Sequence, residues 1–114
     1  MNDLSQGLPA DRALLIVDDD APLRNRLARA MEKRNFIPDV ASSVAEGIDS
    51  ASQRPPAFAI VDLRLEDGNG LEIVKALRQV RADVRIVMLT GYGNIATAVA
   101  AVKAGAVDYL AKPA

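Results

Sequence analysis

Six side chains in this sequence could do chemistry by their type and placement: Asp18, Asp19, Asp20, Asp62, Thr90 and Lys112. Each closes or follows a short apolar run. Leu14-Leu15-Ile16-Val17 leads into the aspartate triplet, Ala59-Ile60-Val61 into Asp62, Ile86-Val87-Met88-Leu89 into Thr90, and Tyr109-Leu110-Ala111 into Lys112. Neighbouring strands ending there would bring carboxylates, a hydroxyl and an ammonium to one rim. Crowded carboxylates repel by kcal/mol amounts unless something positive neutralises them. A hard, oxygen-seeking divalent cation suits that task, and Mg2+ fits best. It takes one or two carboxylates, keeps several waters and shares its remaining positions with phosphate oxygens. A lysine point charge suits the far side of a phosphoryl group, and Asp62 could accept that group as an acyl phosphate.

The elements that must position these residues are legible as alternating strands and helices. Strands are expected at Ala13–Val17, Ile37–Ala41, Ala57–Val61, Val84–Leu89 and Val107–Leu110. Several are apolar on consecutive residues, which suits a parallel sheet buried on both faces. Asp20 can cap a first helix that opens Ala21-Pro22 and repeats Leu23, Leu27, Ala30 and Met31 at helical spacing. Ser43 and Glu46 form a capping-box pattern before Ile48 and Ala51, and Arg54-Pro55-Pro56 stops that second helix. A third helix is expected from about Leu71 to Val80 with Leu71, Val74 and Leu77 inward, and a fourth from Asn94 to Gly105. Such alternation, with right-handed crossovers, argues for an open doubly wound α/β sheet whose ligands sit beyond the carboxyl ends of the strands. Residues 1–12 follow neither period and read as a leader before one domain over 13–114.

Composition removes whole function classes. The 114 residues hold no Cys and no His, so there is no thiol nucleophile, no imidazole for acid/base work and no zinc site of the usual kind. Fourteen basic residues against fifteen acidic ones leave no basic surplus for nucleic acid or anionic membranes, so neither partner is expected for this segment. No apolar run approaches the ~20 residues of a membrane span, and Asp3 stands where a signal peptide would carry positive charge. The expectation is a soluble, cytoplasmic protein.

Singly, each residue of the rim has an ordinary structural reading. Asp20 is a helix cap, Asp18 and Asp19 are turn residues, Thr90 a strand residue, Tyr109 a core aromatic and Lys112 a solvated charge. Arg24, Arg26, Arg29, Lys33 and Arg34 read as a solvated helix face. Only co-location lifts the rim residues above these readings.

Ile16-Val17-Asp18-Asp19-Asp20, Val61-Asp62-Leu63, Leu89-Thr90-Gly91 and Asp108-Tyr109-Leu110-Ala111-Lys112-Pro113 together resemble the receiver domains of two-component response regulators. The likeness runs from Ala13 to the C-terminus. The wording Leu65-Glu66-Asp67-Gly68-Asn69-Gly70-Leu71 and Gly91-Tyr92-Gly93-Asn94 is similar to the redox-responsive RegA, PrrA and ActR group of alphaproteobacteria. The resemblance implies a CheY-like, flavodoxin-like sheet of order 2-1-3-4-5. It implies Asp62 as phosphoacceptor, Asp18, Asp19 and Asp62 with the Arg64 carbonyl as Mg2+ ligands, and Thr90 and Lys112 as partners of the phosphoryl group. Tyr109 would be the ring that changes rotamer with Thr90. It implies a sensor histidine kinase as donor, a DNA-binding transcriptional effector as output, and no enzymatic activity beyond self-catalysed phosphoryl acceptance and loss.

Two departures carry consequences. Many members have Pro four residues after the acceptor, and here that position is Glu66, which removes a stiffening residue and adds a charge. Receivers continue into a fifth helix after the Lys-Pro pair, whereas this sequence ends at Ala114. A domain cut there would leave one sheet face uncovered beside the first helix, with self-association through it or through the helix-four and last-strand face as the expected consequence. Two rival functions remain at this point. An aspartyl-phosphate phosphohydrolase would want a second Asp two residues beyond the nucleophile, where Arg64 stands. A phosphorylation-independent interaction module of the same fold could drop the rim residues, and all are present.

Overall fold

A computed structural model describes residues 12–91 and 108–111, with Thr90, Asp108, Tyr109 and Ala111 known by their place in a strand. The leader, apart from Arg12, the fourth helix and Lys112 lie outside the described residues.

In chain order the elements are β1 Ala13–Val17, α1 Ala21–Glu32, β2 Ile37–Ala41, α2 Val44–Gln53, β3 Phe58–Asp62, β4 Arg64–Leu65, β5 Gly68–Asn69, α3 Gly70–Val80, β6 Arg85–Thr90 and β7 Asp108–Ala111. The main sheet has the order β2-β1-β3-β6-β7, and every neighbouring pair in it is parallel. The expected 2-1-3-4-5 order is therefore present. Its numbering shifts only because β4 and β5, a two-residue antiparallel pair between β3 and α3, interrupt the count.

β1, β3 and β6 are apolar on both sides: one face packs on α2 and α3, and on the other α1 lies against β1 and β2. Leu15, Val17, Ala59, Val61, Ile86 and Met88 meet α2 and α3 through Val44, Ala51, Ile73, Val74 and Leu77. Burying such side chains contributes about 1.5–3 kcal/mol each. On the other face, Leu14 and Ile16 are buried, and Phe36 meets Phe58 edge to face with ring centroids 5.2 Å apart. Helix α1 lies on that side and buries none of its residues completely.

Helix ends follow local chemistry, with instructive exceptions. The Asp20 carboxylate accepts from Leu23 N at 3.1 Å, as its cap position predicts. Only half of the expected capping box at α2 forms. Ser43 Oγ accepts from Glu46 N at 3.1 Å, but the Glu46 carboxylate turns to Ser42, taking its N–H and its hydroxyl at 3.0 Å each. A complete box sits instead at α3, where Asn69 accepts from Leu71 N at 2.8 Å and Glu72 accepts from Asn69 N at 3.2 Å. That helix consequently starts at Gly70, one residue earlier than its apolar spacing suggests. β3 and β6 each sit one residue later than expected, so Asp62 and Thr90 are the last residues of their strands.

Candidate functional site

Parallel register levels the carboxylates. Val17 of β1 is opposite Val61 of β3, and Asp62 is opposite Leu89 of β6, so Asp18 and Asp62 emerge one step past the same row. Thr90 ends β6 opposite Ala111 of β7, the residue before Lys112, and Tyr109 stands opposite Met88 on that edge strand. The rim thus collects the expected strand ends, and Lys112 itself lies outside the described residues.

Asp18 is fully buried and Asp62 nearly so, while Asp19 is exposed. One oxygen from each of the three lies within 4.8 Å of the others. Hydrogen bonds hold Asp18 and Asp62 before any ligand arrives. Asp18 Oδ1 accepts from Asp20 N at 2.9 Å, Asp18 N donates to Ala41 O at 3.1 Å, and Arg24 Nη1 donates to Asp18 O at 2.8 Å. Arg24 is therefore no part of a purely solvated face. It is half-buried and pins the β1–α1 loop from behind. On the other strand, Arg64 N approaches Asp62 Oδ1 at 3.4 Å, and Leu63 N donates to Leu89 O at 2.9 Å.

A buried carboxylate is costly unless paired, and two of them beside a third are costlier still. The donor set is all oxygen with no nitrogen or sulfur, which fits a hard cation such as Mg2+ or Ca2+ and argues against a soft one. One face of the cluster opens to water through Asp19, leaving a way in for an ion and for a phosphoryl oxygen.

Further residues serve the site without having shown in the pattern of chemistry-bearing groups. Gly70 N donates to Leu63 O at 2.8 Å, and a Cβ on Gly70 would collide with the carbonyl oxygen of Asp62, so only glycine lets α3 start this close to the strand end. Asp67 accepts from Val44 N and Ala45 N at 2.8 and 3.1 Å, which places its carboxylate on the start of α2. Those two bonds hold the Asp67 carboxyl below the usual carboxylate range. Sequence signals for both existed. Asp67-Gly68 is a turn dipeptide, and Asn69 with Glu72 is a cap pattern.

Residues 14–114 match the model of the response regulator receiver domain. The chain belongs to that family. Among curated relatives, the receiver is 67% identical over 112 residues to the photosynthetic apparatus regulatory protein RegA of Cereibacter sphaeroides, covering 98% of this chain and 61% of that protein. It is 62% identical over 104 residues to the acid tolerance regulatory protein ActR of Rhizobium meliloti, covering 91% of this chain and 54% of that protein. The chain thus spans little more than half the length of these relatives. Among solved structures, a response regulator protein from Burkholderia pseudomallei, with a phosphorylated aspartic acid, a calcium ion and citrate, superposes with a TM-score of 0.83 at 41% identity. That match covers 90% of this chain and 61% of that one. A CheY-like receiver domain from Methanospirillum hungatei gives 0.83 at 27% identity, over 90% of this chain and 82% of that one. The likeness to the RegA and ActR group expected from the loop wording is present. Receivers are domains of two-component response regulators. Among the described residues no helix is long and apolar enough to cross a membrane.

Proposed function

We propose that this receiver takes a phosphoryl group on Asp62 in a Mg2+-dependent step and passes the event to a transcriptional effector. The observation that carries the reading is the convergence of Asp18, Asp19 and Asp62 within 4.8 Å at the carboxyl ends of adjacent parallel strands. The phosphorylated aspartic acid and calcium ion of the Burkholderia protein, which shares the fold at 41% identity, support it.

Asp62 is the acceptor in this reading. Its carboxylate oxygen forms the new bond to phosphorus as the bond to the donor breaks, and a sensor histidine kinase is the donor in this reading. Asp18, Asp19, Asp62 and the Arg64 carbonyl would hold Mg2+, which when bound offsets the charge gathered on the acceptor and the incoming group. The Arg64 N–H lies 3.4 Å from Asp62 Oδ1, beside the acceptor. Thr90 and Lys112 would satisfy the phosphoryl oxygens. The modification adds about −1.5 to −2 charges and three acceptor oxygens, and Thr90 and Tyr109 are the residues that switch with it in this reading. A charge-biased two-state element of this kind would be read out on the face of the expected fourth helix and β7.

We assign the receiver unit to residues 13–114, after a leader over 1–12, in a cytoplasmic protein. We add self-association to the reading. Beside α1, a groove of about 360 Å3 lined by Leu14, Met31, Phe36, Phe58, Ile60 and Val87 offers apolar surface to a second copy. Sedimentation velocity over rising concentration tests it, and a strictly monomeric profile throughout would remove this addition.

Intact-protein mass after incubation with Mg2+ and a small acyl-phosphate donor tests the main reading. The wild-type chain is expected to gain one phosphoryl group and Asp62→Asn none. Equal gain in both, or gain in neither, would overturn the assignment of Asp62.

A further inference from the structure

The loop that follows Asp62 is fastened at its tip to a different βα loop. Residues 64–65 and 68–69 form the β4–β5 ladder, with Arg64 opposite Asn69 and Leu65 opposite Gly68. Two pairs are too few to hold a hairpin unaided in water. The family's common proline is absent, since Glu66 occupies its place. Stiffness comes from outside. At the tip, Asp67 spans to the first two residues of α2, accepting from Val44 N at 2.8 Å and Ala45 N at 3.1 Å.

Those two N–H groups are among the donors that a helix start cannot satisfy within itself. Ser43 serves Glu46 N, so Asp67 completes the cap of α2 from more than twenty residues downstream. At the base of the same hairpin, Arg64 N lies 3.4 Å from Asp62 Oδ1, and Leu63 O accepts from Gly70 N. The hairpin is therefore held at its base by the acceptor strand and α3, and at its tip by α2.

We propose that Asp67 is a positioning residue for phosphoryl transfer at Asp62: by tying the hairpin tip to α2 it fixes the Arg64–Leu65 backbone against the acceptor before the phosphoryl group arrives. Asp67 touches no reacting atom. Preorganisation of this kind matters because small displacements of positioning groups cost large factors in rate. The inference rests on the reading of Asp62 as acceptor. It adds that α2, through its first turn, is mechanically part of the site.

Four variants of the chain test it: Asp67→Ala, Asp67→Asn, Ala45→Pro, and Asp67→Ala combined with Ala45→Pro. Ala45→Pro removes one donor of the clamp without changing a charge, and it reproduces the Ala21-Pro22 start that α1 already uses. Each is compared with wild type for backbone hydrogen exchange at residues 63–69 and for the rate of phosphoryl uptake from a small acyl phosphate at saturating Mg2+. Asp67→Ala is expected to speed exchange in the hairpin and slow uptake about tenfold. Asp67→Asn, which keeps one acceptor oxygen in place, should fall between it and wild type. Ala45→Pro should shift both readouts the same way, and the double variant should be little slower than Asp67→Ala alone, because both changes cut one linkage. Unaltered exchange, faster exchange with uptake at the wild-type rate, or fully additive rate losses would each overturn the proposal. Wild-type uptake with unaffected variants would sink this proposal alone, whereas no uptake by wild type would sink the acceptor reading and this one with it.

Discussion

Gly70 shows how narrowly single residues are constrained around the acceptor. A Cβ there would strike the Asp62 carbonyl oxygen and come within 3.0 Å of Val61 Cγ1, and backbone cannot give way as a flexible side chain can. Gly70→Ala should therefore destabilise the fold by about 1–3 kcal/mol, the range for forcing extra volume into packed surroundings. Urea unfolding checks this, and a stability equal to wild type would show that α3 can retreat from the strand end at no cost. The same crowding explains why the helix starts where it does. Asn69 and Glu72 cap it, and Gly70 lets the capped end approach β3.

At the scale of elements, α2 depends on a carboxylate that its own segment does not contain. The Val44 and Ala45 N–H groups, in that order, hold the Asp67 carboxyl below its ordinary range. Its pKa is thus lower folded than unfolded, where it sits near about 4. The stability this contributes is present above about pH 4 and is lost as pH falls through the depressed folded value. The stability gap between wild type and Asp67→Asn, measured by urea unfolding, should be widest near neutrality and should narrow on acidification toward pH 3. A gap that widens in acid would contradict the bonds seen at the start of α2. Glu46 is lowered likewise, by the Ser42 backbone N–H and then its hydroxyl, so the acid response of this region has two contributors.

Across the whole molecule, the proposed cation site on Asp18, Asp19 and Asp62 predicts a stability that depends on divalent cations. A ligand that binds only the folded state at tenfold excess over its Kd adds about 1.4 kcal/mol. Thermal unfolding should therefore shift upward by several degrees on adding Mg2+ and return with a chelator. Asp19→Asn should reverse in sign with conditions: more stable than wild type without the metal, because one repulsive charge is gone, and less stabilised by the metal, because one ligand is gone. A thermal shift of the same size in both proteins would mean that the cation binds elsewhere.

Apolar runs ending in Asp, Thr and Lys were enough to read the alternating fold, the parallel sheet and the acidic site, because strand-end chemistry is written in consecutive residues. Cap residues at Asp20 and Ser43 were legible for the same reason: their partners lie three positions away. Contacts across the fold were not. The Asp67 clamp joins segments more than twenty residues apart. Arg24 on the Asp18 carbonyl looked like one more solvated cation. The capping box at Ser43 loses its second half because Ser42 offers Glu46 both an N–H and a hydroxyl. Sequence by itself determined which groups stand on the rim, since periodicity and strand ends are local properties. Tertiary structure alone decided how they are held, because a hydrogen bond between loops exists only once parallel strands have brought those loops side by side.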